Sequence, residues 1–134
     1  MTIQVTDTQS KNRVLDVDPY AAGCPSRQVL DRIGDRWTVL VVGSLSQGPL
    51  RFSELARRIE GISQKMLTQT LRGLERDGLV VRTVHPEVPP RVEYELTRVG
   101  ATLIEPLDAL DAWAREHLPV IEQARAAYDE SRTA

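Results

Sequence analysis

Several features that define whole classes of protein are scarce or missing from this sequence. The 134 residues include one cysteine, so no disulfide can form within the chain and a disulfide-stapled domain is excluded. No apolar run is long enough to span a membrane, and residues 1–13 lack the apolar core of a signal peptide. We therefore expect a cytoplasmic protein with no membrane partner.

Patterns for catalysis and for binding metals or cofactors are also missing. The sequence contains no G-x-G-x-x-G, P-loop or H-E-x-x-H motif. The two histidines, His85 and His117, have no other metal-ligating residues clustered around them. We therefore expect neither an enzyme nor a protein that holds a cofactor.

Neither sign of charge dominates the chain, but the two signs are unevenly distributed. The formal net charge is −2, which argues against a protein that coats nucleic acid indiscriminately. Residues 51–72 carry five basic and two acidic side chains, a local charge of +3, whereas residues 98–134 carry four basic and seven acidic, a local −3. A basic middle and an acidic tail favour a protein whose middle faces a polyanion.

Residues 61–78 predict a single helix with defined ends. Ser63 is a favourable N-cap residue, and Gly78 occupies the position where a left-handed residue ends a helix. One face is mostly apolar, with residues spaced three and four apart: Met66, Leu67, Thr70, Leu71 and Leu74. The opposite face carries hydrogen-bonding side chains and no acid: Gln64, Lys65, Thr68, Gln69 and Arg72. This face suits base edges and phosphates in a major groove, although an ordinary solvated helix face is also polar.

The segments on either side of this helix complete a winged helix. Helices are predicted at about residues 26–33, 37–45 and 51–59, and the second is apolar nearly all round. The third helix and the helix of residues 61–78 are joined by a tight turn, which is a helix-turn-helix arrangement. Residues 79–84 and 91–96 alternate with a period of two and predict a hairpin, the wing. Arg91 at the wing could meet a phosphate or a minor groove.

The last third of the chain predicts a long helix with a coiled-coil-like seam. Thr97 caps it, Pro106 predicts a kink, and Pro119 predicts a break. A second copy of the chain is expected to cover the seam, with packing on the chain's own first helices as the alternative. The seam residues are spaced four and three apart: Leu103, Leu107, Leu110, Ala114, His117 and Ile121.

The predicted fold class is therefore mainly α with a small β wing (α+β). We divide the chain into a flexible arm (residues 1–23), a winged helix-turn-helix DNA-binding domain (24–100) and C-terminal dimerisation helices (101–134).

Three segments resemble the HxlR-type winged-helix regulators, relatives of the MarR family: CPSRQVLDRIGDRWTVLVVGSLSQGPLRFSEL, GISQKMLTQTLRGLERDGLV and HPEVPPRVEYELTRVG. One departure is Asp35, an acid near the start of the second helix, where it is favourable to the helix dipole. The resemblance implies a homodimer that reads a near-palindromic operator in double-stranded DNA, with half-sites about one helical turn apart. It also implies contacts with DNA by Arg51, Ser63, Gln64, Lys65, Thr68, Gln69, Arg72 and Arg91.

Cys24 is the residue with a candidate chemical role. It precedes the first helix, where amide groups and the helix dipole lower the pKa of a thiol. Some members of the family resembled are redox or electrophile sensors with a cysteine at this position. Oxidation could link two subunits or capture a small thiol or electrophile. The alternative is a small, partly buried hydrophobic residue.

The leading hypothesis is a homodimeric transcriptional regulator that represses by occluding polymerase and is switched at Cys24. Two alternatives stay open. One is a regulator that responds to a small-molecule effector in a pocket near the dimer interface. The other is a winged helix that binds proteins instead of DNA, although such a surface is typically apolar.

Overall fold

The computed structural model describes residues 20–21 and 23–133, within which six helices and three strands are present. Most of the predicted arm, residues 1–19 and 22, lies outside the described residues. The elements in chain order are α1 (Pro25–Ile33), α2 (Arg36–Leu45), β1 (Leu50–Arg51), α3 (Phe52–Arg58), α4 (Gln64–Arg76), β2 (Val80–His85), β3 (Arg91–Leu96), α5 (Arg98–Ala101) and α6 (Ile104–Thr133).

Local capping signals set the helix boundaries. The Asp35 carboxylate accepts hydrogen bonds from the backbone N–H groups of Trp37 and Thr38 at 3.1 and 3.2 Å, and so caps α2. The Ser63 hydroxyl accepts a bond from the N–H of Met66 at 3.0 Å and caps α4, as predicted. Gly78 has a φ of 75°, the left-handed conformation predicted after α4.

The strands form an antiparallel sheet in the order β1-β3-β2. The β2–β3 pair is the predicted hairpin, in which Arg82 lies opposite Tyr94 and His85 lies opposite Arg91. The sequence analysis missed β1, which has two residues and is too short to show an alternating pattern. It pairs with β3 and thereby ties the start of α3 to the wing.

The hydrophobic core lies between α2, α3, α4 and the sheet. The predicted buried face of α4 is confirmed, since Leu67, Thr70, Leu71 and Leu74 are all buried. The sequence predicts that α2, which is apolar nearly all round, is buried centrally, and Leu40 departs from this because it is 46 % exposed. The remaining buried apolar side chains of this core are Val41, Val42, Leu45, Leu55, Ile59, Leu79, Val80 and Leu107.

The C-terminal segment differs from the prediction at both prolines. The short helix α5, capped by Thr97 through the N–H of Gly100 at 3.0 Å, ends before Pro106 is reached. Pro106 instead lies in the first turn of α6, where a missing N–H costs no helical hydrogen bond. Pro119 lies inside α6 and does not break it. It removes one hydrogen bond, while strong helix formers such as Ala124 and Ala126 follow it and continue the helix.

None of the helices in the described ranges has both the length and the apolar character needed to cross a bilayer.

Candidate nucleic-acid interface

The polar residues predicted on α4 share one surface. Gln64, Lys65, Gln69 and Arg72 are exposed, and Thr68 is half-buried. All five line a shallow depression of about 530 Å³, which we call the α4 polar face. Ser63 lies at its N-terminal edge, where its hydroxyl is engaged in the helix cap.

The charges of the α4 polar face are not neutralised by the residues that the structure describes. Neither Lys65 nor Arg72 forms an ion pair with any residue that the structure describes. A cation without an acidic partner keeps its full attraction for an external anion. The α4 polar face therefore combines two available positive charges with amide and hydroxyl groups that can bond to base edges.

Arg51 lies at the junction between the sheet and α3. Its backbone N–H donates to Oε1 of Glu54 at 2.8 Å, which satisfies one amide at the start of α3. Arg51 pairs with Glu93 of β3 in the sheet, and its side chain is exposed. The predicted contact of Arg51 with DNA would therefore be made from a position beside the wing.

Arg91 lies in a network of ion pairs on the wing, the wing cluster of His85, Glu87, Arg91 and Glu93. Its Nη1 is 2.8 Å from Glu93 Oε2, and its Nη2 is 2.9 Å from Glu87 Oε2. His85 Nε2 is 3.0 Å from Glu93 Oε1. The hydrogen bond from Arg91 lowers the pKa of Glu87, and the hydrogen bond with His85 lowers that of Glu93. A phosphate approaching Arg91 has to compete with two carboxylates.

The sequence analysis missed Arg82, which lies on the other face of the wing. Since side chains alternate along a strand, Arg82 and Tyr94 share one face of the hairpin while Arg91 and Glu93 share the other. The same alternation was visible in the predicted strand of residues 79–84, so the signal was present. A cleft of about 340 Å³ between α4 and the wing is lined by Thr68, Leu71, Arg72, Glu75, Arg82 and Tyr94.

Cys24 immediately precedes α1 and is 5 % exposed. Its Sγ lies 3.1 Å from the Ser26 hydroxyl, and its carbonyl accepts the N–H of Gln28 at 3.2 Å. At the other end of α1, Arg32 pairs with Asp77 at the C-cap of α4 at 2.9 Å. The helix that begins beside Cys24 is therefore joined to the helix that carries the α4 polar face.

The predicted seam residues fall into two groups within the single chain. Leu107 is buried and Leu103 packs against the core, so the start of the seam contacts its own chain. His117 and Ile121 are half-buried, whereas Leu110 is 64 % exposed and Ala114 is also exposed. Further large apolar side chains of α6 are exposed as well: Trp113, Leu118, Val120 and Tyr128.

A larger cleft of about 610 Å³ lies between α2, the end of α3 and α6. Its apolar wall includes Val39, Leu40 and Leu107, and Asp111 and Arg115 at its α6 side pair at 2.8 Å. Residues 20–21 and 23–133 hold no group of three or more His, Cys, Asp or Glu side chains placed to bind a metal.

A helix-turn-helix whose second helix presents a polar face, followed by a β hairpin, defines a winged helix-turn-helix transcriptional regulator. The sequence model of one family, HxlR-like helix-turn-helix, matches residues 32–122. The chain belongs to that family, which confirms the resemblance seen in its sequence. Its relatives in the family are transcriptional regulators.

Known proteins agree in sequence and in structure. The chain is 45 % identical over 106 residues to the HTH-type transcriptional regulator YtfH of Escherichia coli (strain K12), covering 79 % of this chain and 84 % of that protein. The structure of the regulator ytfH from Salmonella typhimurium matches with a TM-score of 0.74 and 43 % identity over 80 % of this chain and 96 % of that one. The redox regulator HypR in its reduced form matches with a TM-score of 0.68 and 39 % identity, over 74 % and 98 % of the two chains.

Proposed function

We propose that the protein is a cytoplasmic repressor that binds a near-palindromic operator as a homodimer and blocks access of polymerase. The observation that carries the proposal is the α4 polar face, which is free of acidic residues and whose Lys65 and Arg72 have no acidic partner among the described residues. In this proposal the face enters the major groove, where Gln69 and Arg72 read base edges and Lys65 meets phosphate.

The exposed apolar side chains of α6 support the homodimer. A contiguous apolar surface on one helix is a common site of subunit contact, because a second copy removes it from water. Leu110 and Trp113 are each more than half exposed and lie at the N-terminal end of this surface. Two copies of α4 related by a two-fold axis would match half-sites about 34–36 Å apart.

The direct test is binding to DNA from upstream of the protein's own gene and of its neighbour. Fluorescence anisotropy at fixed salt, with unrelated DNA as competitor, measures both affinity and selectivity. We expect selective binding and, by analytical ultracentrifugation, twice the mass of one chain in solution. A Leu110→Glu variant is expected to lower the mass to that of one chain and to weaken operator binding. If the wild-type protein binds the upstream DNA and the unrelated DNA equally, or binds neither, the hypothesis of a protein-interaction module replaces that of a repressor.

The proposal includes a thiol switch at Cys24. Its support is the position of Cys24 at the start of α1, the Arg32–Asp77 link from α1 to α4, and the similarity to the redox regulator HypR. Two Cys24 thiols, one from each subunit, would form a disulfide and lose two protons and two electrons to added hydrogen peroxide, which is reduced to two molecules of water. A small external thiol could replace the second subunit in the same reaction.

Replacement of Cys24 by serine tests the switch. We expect peroxide to reduce operator binding by the wild-type protein and to leave the Cys24→Ser variant unaffected. A response that persists in the variant would exclude Cys24. Attention would then turn to a ligand-responsive regulator, for which the cleft of about 610 Å³ beside α6 is the candidate effector site.

A further inference from the structure

The cleft between α4 and the wing joins the α4 polar face. Thr68 and Arg72 line both the cleft of about 340 Å³ and the depression of about 530 Å³ on the outer side of α4. A ligand that covers the α4 polar face therefore continues directly into the cleft. An extended polymer meets this description, whereas a small anion occupies one of the two surfaces only.

The chemistry of the cleft suits a phosphate. Arg72 and Arg82 are both exposed, and neither forms an ion pair with another residue in the described part of the chain. Thr68 and Tyr94 add two hydroxyl groups, and Glu75 is the one acid in the lining, so the local charge is +2 − 1 = +1. The Arg82 guanidinium can bind phosphate through paired N–H donors, and the hydroxyl groups can donate to the remaining oxygens. Arg72, whose guanidinium is assigned to a base edge, adds positive charge at the wall that the cleft shares with the α4 polar face.

Arg91 on the opposite face of the wing offers no comparable site. Its guanidinium bonds to the carboxylates of Glu87 and Glu93 at 2.9 and 2.8 Å, so a phosphate would have to displace an acid that is already held. Arg82 carries the same charge as Arg91. It lies on the same side of β2 as Val80, and there it lines the cleft between the wing and α4.

We propose that the cleft binds a phosphate of the DNA backbone, and that Arg82, and not Arg91, is the wing residue that contacts it. The inference rests on the proposed DNA-binding function. It assigns Arg82 to positioning the duplex and not to reading its sequence, because a phosphate is the same at every base pair.

The test compares Arg82→Gln with the matched control Arg91→Gln. Affinities for the operator and for unrelated DNA are measured by fluorescence anisotropy between 50 and 200 mM KCl, and thermal melts check that each variant is folded. We expect Arg82→Gln to lower the affinity for the operator and for unrelated DNA by the same factor. We also expect the slope of log affinity against log salt concentration to become shallower by about one. When the salt concentration rises fourfold, the Kd of wild type should increase by a factor that is about three to four times the factor for this variant. Arg91→Gln should keep the wild-type salt slope, because it removes no phosphate contact, and should weaken binding to both DNAs slightly through the carboxylates of Glu87 and Glu93 that it leaves unpaired.

Loss of binding and of salt slope in Arg91→Gln with an unchanged Arg82→Gln would overturn the assignment. If Arg82→Gln fails to fold, Arg82→Ala replaces it: a salt slope shallower by about one supports the site, and a wild-type slope contradicts it. Glu75→Gln removes the one acidic side chain of the cleft lining and is expected to raise the affinity for both the operator and unrelated DNA. Selective binding by the wild-type protein separates a failure of this inference from a failure of the proposed function.

Inorganic phosphate distinguishes the two sources of the anion. If phosphate at constant ionic strength raises the melting temperature of the DNA-free wild-type protein but not that of Arg82→Gln, and the salt slope is the same for both proteins, the cleft is a site for a free anion. That result would overturn the backbone assignment. A shallower slope without a phosphate-dependent melting shift supports it.

Discussion

Helix α4 and the face of the wing that carries Arg91 are both predicted to contact DNA, but acidic side chains balance their positive charges to different extents. Lys65 and Arg72 on α4 have no acidic partner in the ranges that the structure describes, whereas Arg91 on the wing lies within 2.9 Å of two carboxylates. An exposed cation attracts a polyanion only to the extent that nearby acids do not already balance it. The comparison teaches that the position of an arginine in a motif does not set its role, because the acids within reach also decide it.

The largest effect is expected on the α4 side of this comparison. Arg72→Ala or Gln69→Ala should each cost about 1–3 kcal/mol of specific binding if the side chain makes a bidentate base contact. This corresponds to about 5- to 150-fold in Kd for the operator. Anisotropy titrations measure it, and the exposed pair Arg125→Ala and Gln123→Ala on α6 serves as the matched control. Wild-type affinity in both α4 variants would remove α4 from the major groove.

A smaller effect is expected at Arg51, which lies between the two regions. Arg51→Ala should weaken all DNA sequences similarly and make the salt slope shallower by about one, because a lost phosphate contact carries no sequence information. Titrations of operator and unrelated DNA over a range of salt concentrations measure both quantities. An unchanged slope would show that Arg51 does not contact a phosphate.

The smallest effect is expected in the stability of the wing cluster. Glu87 and Glu93 have pKa values lowered from the ordinary 4.5 by their hydrogen bonds with Arg91 and His85. A lowered pKa in the folded state stabilises the fold above the unfolded value and loses this contribution as the pH falls through the folded value. Wild type should therefore melt slightly above Glu87→Gln at pH 7, and the difference should shrink as the pH falls below 4.5. A difference that does not change with pH would mean that the ion pair contributes nothing.

Local signals explain which parts of the fold could be predicted. Ser63, Gly78 and Thr97 act on backbone groups within a few residues of themselves, so their side-chain types are enough to place helix ends. The two-residue β1 could not be found, because it exists only through its pairing with β3. Pro119 predicts a break from its own chemistry, but it removes one hydrogen bond, and the helix-forming residues that follow it continue the helix.

The candidate site also has one part that local sequence patterns predict and one part that depends on contacts between distant residues. The α4 polar face follows from the period of one helix and needs no knowledge of what packs beside it. The α4–wing cleft requires β2 to lie against α4, and this contact joins residues that no local pattern connects. The neutralisation of Arg91 falls between these cases: alternation already placed Glu93 on its face, but the contribution of Glu87 depends on the path of the turn.

The continuity of α6 gives the molecule a lever. Its 30 residues form a rod about 45 Å long, held at one end where Leu107 is buried in the core. For a rod of this length, a rotation of about 5° at the held end moves the far end by about 4 Å. In the proposed dimer, two such rods set the separation of the two α4 helices. In that dimer, a rotation of a few degrees at the Leu107 end would shift one α4 helix relative to its half-site by a distance of this order.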